Sequence, residues 1–155
     1  MSTQTNSYVI APPPQAILAV AGTRPVPGRI SFTICDWFGQ HHPSAMSRAD
    51  LVGHLTTLIR RQLTGTRVTD PSNASFMGLY ETTTQGTWSD DLCAAVGISK
   101  NKLPDVLPAD QIAGHVMKTN TWGLTPGTPV LTGLVDTSAA MILAGAKVGQ
   151  LVHVS

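Results

Sequence analysis

An α/β fold is predicted by three features of the chain. Two helix starts stand at Asp70-Pro71 and Ser89, an apolar extended run follows from Val130 to Leu134, and the helix-forming run Ala139 to Ala144 comes directly after it. A last extended stretch from Leu151 to Val154 completes an alternation of strand, helix and strand.

Residues 1 to 30 carry Pro12, Pro13, Pro14, Pro25 and Pro27, which exclude a long helix or central strand. They read as loop or disordered tail, apart from a short strand from Ala16 to Val20. Ile30 to Trp37 reads as a second strand, and His41-His42-Pro43 as a solvated turn. Ser47 and Asp50 form a helix start, after which Leu51, Leu55, Leu58, Ile59 and Leu63 recur at helical spacing up to Thr64-Gly65. Asp70 is an N-cap with Pro71 at the first helical position, opening a short helix through Asn73 to Phe76. Ser89, with Asp90 and Asp91 in the first turn, caps a third helix that buries Leu92, Ala95 and Val96 and ends at Gly97. A loop-rich stretch leads to a short helix near Met117 to Thr121, then to the strand Val130–Leu134 and a helix from Thr137 to Lys147.

With 155 residues and 42% hydrophobic content, the chain suffices for one domain or part of one. Charged residues make up 12% and the net charge is +1, so no electrostatic footprint points to nucleic acid or an anionic membrane. Cys35 and Cys93 lie far apart without a C-x-x-C pair, which argues against a disulfide framework or zinc module and for reduced thiols in a cytoplasmic protein. The apolar stretch Ala16 to Ala21 is shorter than a signal-peptide core, and Asp136 interrupts the longest uncharged region, so no membrane span is expected. Asn73-Ala74-Ser75 fits a glycosylation acceptor only formally.

Asp136 is the only charged residue between Lys118 and Lys147. It stands after the flexible Gly133 at a strand-to-helix turn, where α/β enzymes keep a reacting group. Asp is also a favoured N-cap, and Asp136-Thr137-Ser138 opens a helix-like run. Both readings stand, and they are compatible, because a helix N-terminus favours the ionised carboxylate in either job. Neither G-x-x-x-x-G-K-[ST] nor G-x-G-x-x-G occurs.

Four segments, in order, carry a family resemblance. Leu63-Thr64-Gly65 leads to Thr69-Asp70-Pro71-Ser72-Asn73-Ala74-Ser75. Gly78-Leu79-Tyr80-Glu81 is followed by Trp88-Ser89-Asp90-Asp91-Leu92 and Gly97-Ile98. Leu103-Pro104 precedes Gly114-His115-Val116. Gly123-Leu124-Thr125-Pro126-Gly127-Thr128-Pro129-Val130 runs to Gly133-Leu134-Val135-Asp136. From Leu63 onward the chain thus resembles the FGGY family of carbohydrate kinases, xylulokinase-like, which phosphorylate sugars and polyols with ATP.

The resemblance implies part of a ribonuclease-H-like (actin-like ATPase) domain, incomplete in this sequence. Residues 63–155 would form the later part of the family's N-terminal domain, and residues 1–62 a poorly matched segment. It implies Asp136 as catalytic base and as ligand to Mg²⁺, and Gly133 and Thr137 as substrate-binding residues. Thr137 stands where many members carry Gln or Asn, which leaves the sugar open. Asp70, Asn73 and Ser75 are expected to act structurally, and Trp88 and Trp122 to pack. ATP and Mg²⁺ are the implied cofactors, and a sugar or polyol the partner.

The family's D-x-G-[TS]-[ST] phosphate loop has no counterpart in residues 1–29, and the chain stops inside an apparent strand, so a piece of a longer kinase is expected, inactive by itself. A rival reading is a non-catalytic remnant that binds sugar, self-associates, or pairs with a completing partner chain through the strand edge near Val154. A third is a small hydrolase pairing Asp136 with His115 or His153.

Overall fold

Prolines open and glycines close much of this structure, a computed structural model that describes residues 13–84, 86–118, 122–147 and 149–150. Pro14, Pro43 and Pro71 each stand in the first turn of a helix, where the missing N–H costs nothing. The elements run α1 (Pro14–Ala21), α2 (Ser31–His41), α3 (Pro43–Arg48), α4 (Leu55–Thr64), β1 (Val68–Thr69), α5 (Pro71–Met77), α6 (Asp90–Ala95), β2 (Asp105–Val106), β3 (Ile112–His115), β4 (Pro129–Leu131) and α7 (Asp136–Leu143). A 3₁₀ turn, Lys100–Lys102, precedes β2.

The strands form two small sheets. β1 and β2 pair in parallel, Val68 opposite Asp105 and Thr69 opposite Val106. β3 and β4 are antiparallel, with an irregularity between Ile112 and Gly114. At Gly114 the sheet presses on the end of α4: a Cβ there would lie 2.8 Å from that of Thr64. A side chain would push the two elements apart, so glycine is required by the approach of backbones.

The main core joins Ile17 and Ala21 of α1, Phe32 and Cys35 of α2, Ala74 and Met77 of α5, and Leu92 and Cys93 of α6, with Leu79, Tyr80 and Trp88 between them. Phe32, Ile17, Met77 and Leu79 are almost wholly buried, each contributing on the order of 1.5–3 kcal/mol by burial. Residues on both sides of position 62 therefore share one core. Trp88 serves it as expected, its Nε1 donating to the Pro104 carbonyl at 2.8 Å and its ring edge-on to Tyr80.

The structure corrects several expectations. Ala16 to Val20 is helical: Pro14 starts the turn, and Ile17 and Ala21, four apart, face the core. Ile30 to Trp37 is mostly the first part of α2, with Phe32 and Cys35 three apart on the buried side. The helix expected from Ser47 is two helices joined by an extended link. Arg67 Nη2 donates to the carbonyls of Asp50 and Asn101, Val52 N–H donates to Lys102, and Lys102 Nζ holds the last carbonyls of α3, tying the link to the 3₁₀ turn. The apolar face foreseen for α4 is turned outward: Leu55, Leu58 and Ile59 are 69%, 49% and 41% exposed, while Thr57, Arg60 and Leu63 point inward.

Later elements agree better. Ser89 caps α6 through Leu92 N–H, although Cys93, and not Ala95, is buried there. Met117 and Lys118 are not helical, and the rest of that expected helix, residues 119–121, lies outside the described residues. So does the strand Leu151–Val154. Trp122, expected to pack, is half exposed.

Both cysteines are free and buried. Burial pushes each thiol from an ordinary 9.0 up to about 11, with the neighbouring Cys93 adding to the shift of Cys35. A proton held more tightly in the folded state stabilises it below the unfolded value, and that stabilisation fades as pH rises from about 9 to about 11. Thermal unfolding between pH 8 and 11 should therefore show a falling midpoint, less steep in the Cys35→Ala/Cys93→Ala double variant. Equal slopes would refute the assignment.

Candidate active site

The turn between β4 and α7 is tethered residue by residue. Thr132, fully buried, uses both its N–H (2.8 Å) and its hydroxyl (3.0 Å) to donate to the Gln111 carbonyl. Gly133 N–H donates to the Ala109 carbonyl at 2.9 Å, and Val135 N–H donates to the Ser72 hydroxyl at 3.0 Å. Gly133 has φ 71°, a conformation that disfavours any side chain. The space beside it is open enough, since an added Cβ would lie 3.8 Å from Arg60 Nη2. Its glycine is thus required by the turn.

Asp136 is the first residue of α7, with Val135 as N-cap. The capping position therefore falls one residue earlier than the alternative reading of Asp136 required. The carboxylate is exposed and still serves the helix start: Oδ1 accepts Thr137 N–H at 2.6 Å and the Thr137 hydroxyl at 3.2 Å. Oδ2 accepts no hydrogen bond from the described residues. One oxygen is held and the other faces solvent at the positive end of a helix, an arrangement that can accept a proton from an incoming hydroxyl. Gly133, Asp136 and Thr137 thus stand together on one turn, with the Thr137 hydroxyl directed to Asp136. Asp136 bonds to no histidine among the described residues, and His153 lies outside them.

Behind the turn lies a buried polar cluster centred on Asp70, which is fully buried. Its Oδ1 accepts the N–H groups of Ser72 and Asn73, both at 3.0 Å, and the Ser72 hydroxyl. Its Oδ2 accepts Asn73 Nδ2 at 2.6 Å and lies 3.5 Å from Arg60 Nη2. Burial pushes the Arg60 guanidinium pKa down, and the Asp70 carboxylate opposes that push. Because a carboxylate only accepts, the Asn73 amide group must face Asp70, which turns Asn73 Oδ1 to His54 Nδ1 at 3.0 Å. His54 then carries a proton on Nδ1, and its Nε2 is hydrogen-bonded to the Ser31 hydroxyl at 2.8 Å. The Asn73 nitrogen that a glycan would need is committed to this network.

Asp70 and Asn73 act structurally, as expected. Ser75 Oγ accepts the Thr82 hydroxyl at 3.0 Å. The sequence reading missed Arg60 and Ser72. The signal for Arg60 was its spacing of three from both Thr57 and Leu63, and Ser72 stood only as a member of the Asp70 segment. An open groove of about 590 Å³ lined by Asp36, Gln40, Met46, Val96 and Lys102 contains none of the candidate residues.

No three His, Cys, Asp or Glu residues cluster as a metal cage among the described residues. The lone exposed Asp136 suits Mg²⁺ only in the way that ion is held beside substrate phosphates, through one or two carboxylates. No described helix is long and apolar enough to cross a membrane.

Residues 16–143 match the model of the FGGY family of carbohydrate kinases, N-terminal domain. The chain is 28% identical over 121 residues to the xylulose kinase of Streptomyces rubiginosus, covering 77% of this chain and 25% of that protein. It is 32% identical over 108 residues to the glycerol kinase of Nocardia farcinica, covering 67% and 21%. The crystal structure of xylulose kinase from Rhodospirillum rubrum superposes with a TM-score of 0.76 at 28% identity, over 85% of this chain and 27% of that one. The chain therefore spans about a quarter of the length of these relatives, and the expected ribonuclease-H-like α/β class holds.

Removing Asp70 leaves a buried guanidinium without its counter-charge, held only by the Val68 carbonyl at 3.2 Å among the described residues, whereas removing Arg60 leaves Asp70 with its Ser72 and Asn73 donors. Asp70→Ala should lower the unfolding free energy by about 3–5 kcal/mol, and Arg60→Met by less. Urea unfolding of both variants checks the order, and the reverse order would contradict it.

Proposed function

Because the chain belongs to the FGGY family of carbohydrate kinases, we propose that it supplies the sugar-side base of an ATP-dependent kinase acting on a sugar or polyol hydroxyl, in the cytoplasm. The observation that carries this is the half-held carboxylate of Asp136 at the mouth of the β4–α7 turn. Thr137 fixes Oδ1, so Oδ2 takes the proton that the attacking hydroxyl releases. The N-terminal end of α7 favours the charged carboxylate before that transfer. Gly133 brings backbone to the same turn and Thr137 offers a small hydroxyl, which supports both as substrate contacts. Bound ATP with Mg²⁺ would supply the phosphoryl group and neutralise its charge, with the exposed carboxylate of Asp136 facing the ion.

A base of this kind contributes about 10²- to 10⁴-fold to the rate. The protein isolated from its source cells, assayed with ATP, Mg²⁺ and a panel of ketoses, polyols and glycerol, should phosphorylate one class. Asp136→Asn should lower that rate by at least about 10²-fold. An unchanged rate would remove Asp136 from the chemistry. The 155-residue chain made by itself should transfer no phosphoryl group, and an ordinary kinase rate from it would overturn this part.

A second reading, a non-catalytic module completed by a separately encoded polypeptide, is favoured by the outward apolar residues Leu55 and Leu58 of α4 and Ile142 and Leu143 of α7, the last 88% exposed. Light scattering that found a stable monomer with no partner in native extracts would count against it.

A further inference from the structure

We infer that Ser72 is a positioning residue for Asp136, acting through the Val135 amide; this rests on the reading of Asp136 as the base. Val135 is the N-cap of α7 and its side chain cannot accept a hydrogen bond, so the helix start has only the local contact of Asp136 with Thr137 N–H. What fixes it comes from 63 residues away: Val135 N–H donates to Ser72 Oγ at 3.0 Å. Among the described residues this is the tertiary hydrogen bond nearest to Asp136. The anchors of Thr132 and Gly133 lie four and three residues before the carboxylate.

Ser72 suits this task because its own rotamer is locked. Its hydroxyl hydrogen is committed to Asp70 Oδ1, and its N–H donates to the same oxygen, so the lone pairs of Oγ are left to face Val135. Asp70 in turn is fully buried, bonded to Asn73 and paired with Arg60. Two hydrogen bonds thus run from the buried ion pair to the residue before the base. Arg60 also passes beside Gly133, so the same cluster lies against the turn at both ends. Displacement of a reacting group by about 1 Å costs up to about 10²-fold in rate, and one lost tether next to Asp136 permits displacement of that size.

The test uses the whole 155-residue chain and nuclear magnetic resonance. In Ser72→Ala the Val135 amide should exchange with solvent about ten-fold faster, the loss expected for one net hydrogen bond. Backbone order at Val135, Asp136 and Thr137 should fall while α4 is unchanged, and Ser72→Thr should restore both. Unchanged Val135 exchange in Ser72→Ala overturns the inference. In the phosphorylation assay, run on the protein from its source cells carrying the same substitutions, Ser72→Ala should lower kcat at least ten-fold with sugar KM within about two-fold, again restored by Ser72→Thr. A loss of kcat with Val135 exchange unchanged would also overturn it, since the effect would take another route. Asp136→Asn separates the two claims: it should leave Val135 exchange as in the wild type, and its own rate decides the base alone.

Discussion

The buried carboxylate of Asp70 is the constraint on which the rest depends. Placed without solvent, it must be met by donors, and the chain supplies them from several directions: two backbone N–H groups that begin α5, the Ser72 hydroxyl, the Asn73 amide and the Arg60 guanidinium. Each donor belongs to a segment whose position is then decided. Arg60 turns α4 so that its polar stripe faces inward, and Asn73 carries the order on through His54 to Ser31 at the start of α2. An ion pair of this kind adds little net stability over apolar packing, but a fully satisfied network tolerates few alternatives.

The candidate base is exposed, while the turn behind it is tied by hydrogen bonds to buried parts of the chain. Asp136 stands at the surface with one oxygen held by Thr137, and the three residues Thr132, Gly133 and Val135 that lead into it are each tied by backbone N–H to another part of the chain. A proton acceptor has to meet its substrate, so it cannot be buried; its geometry has to be supplied from underneath. The buried cluster and the Ala109–Gln111 loop supply it here.

Local signals were legible where the chemistry is local. Asp70-Pro71 and Ser89 start helices because a side-chain oxygen accepts an N–H two or three residues on, and this needs no knowledge of the fold. Asp136 stood out because no other charge lies near it in sequence. The first half of the chain misled for the converse reason. Ala16 to Val20 and Ile30 to Trp37 are rich in apolar residues whose short runs fit either period, and only burial of Ile17 with Ala21 and Phe32 with Cys35 decides for helix. In α4 the apolar periodicity was real, but a buried arginine overrode it.

The sequence by itself determined the family, the α/β class and the caps of α5 and α6, and it singled out Asp136 as the candidate base, because each rests on contiguous residues or an ordered motif. Only the tertiary structure decided which face of α4 turns inward, why Gly133 must be glycine, and that Ser72 meets Val135. The first and last are set by partners up to 63 residues apart that meet to satisfy one buried charge, and the Gly133 conformation by the tether of its turn to Ala109; no local pattern records such needs.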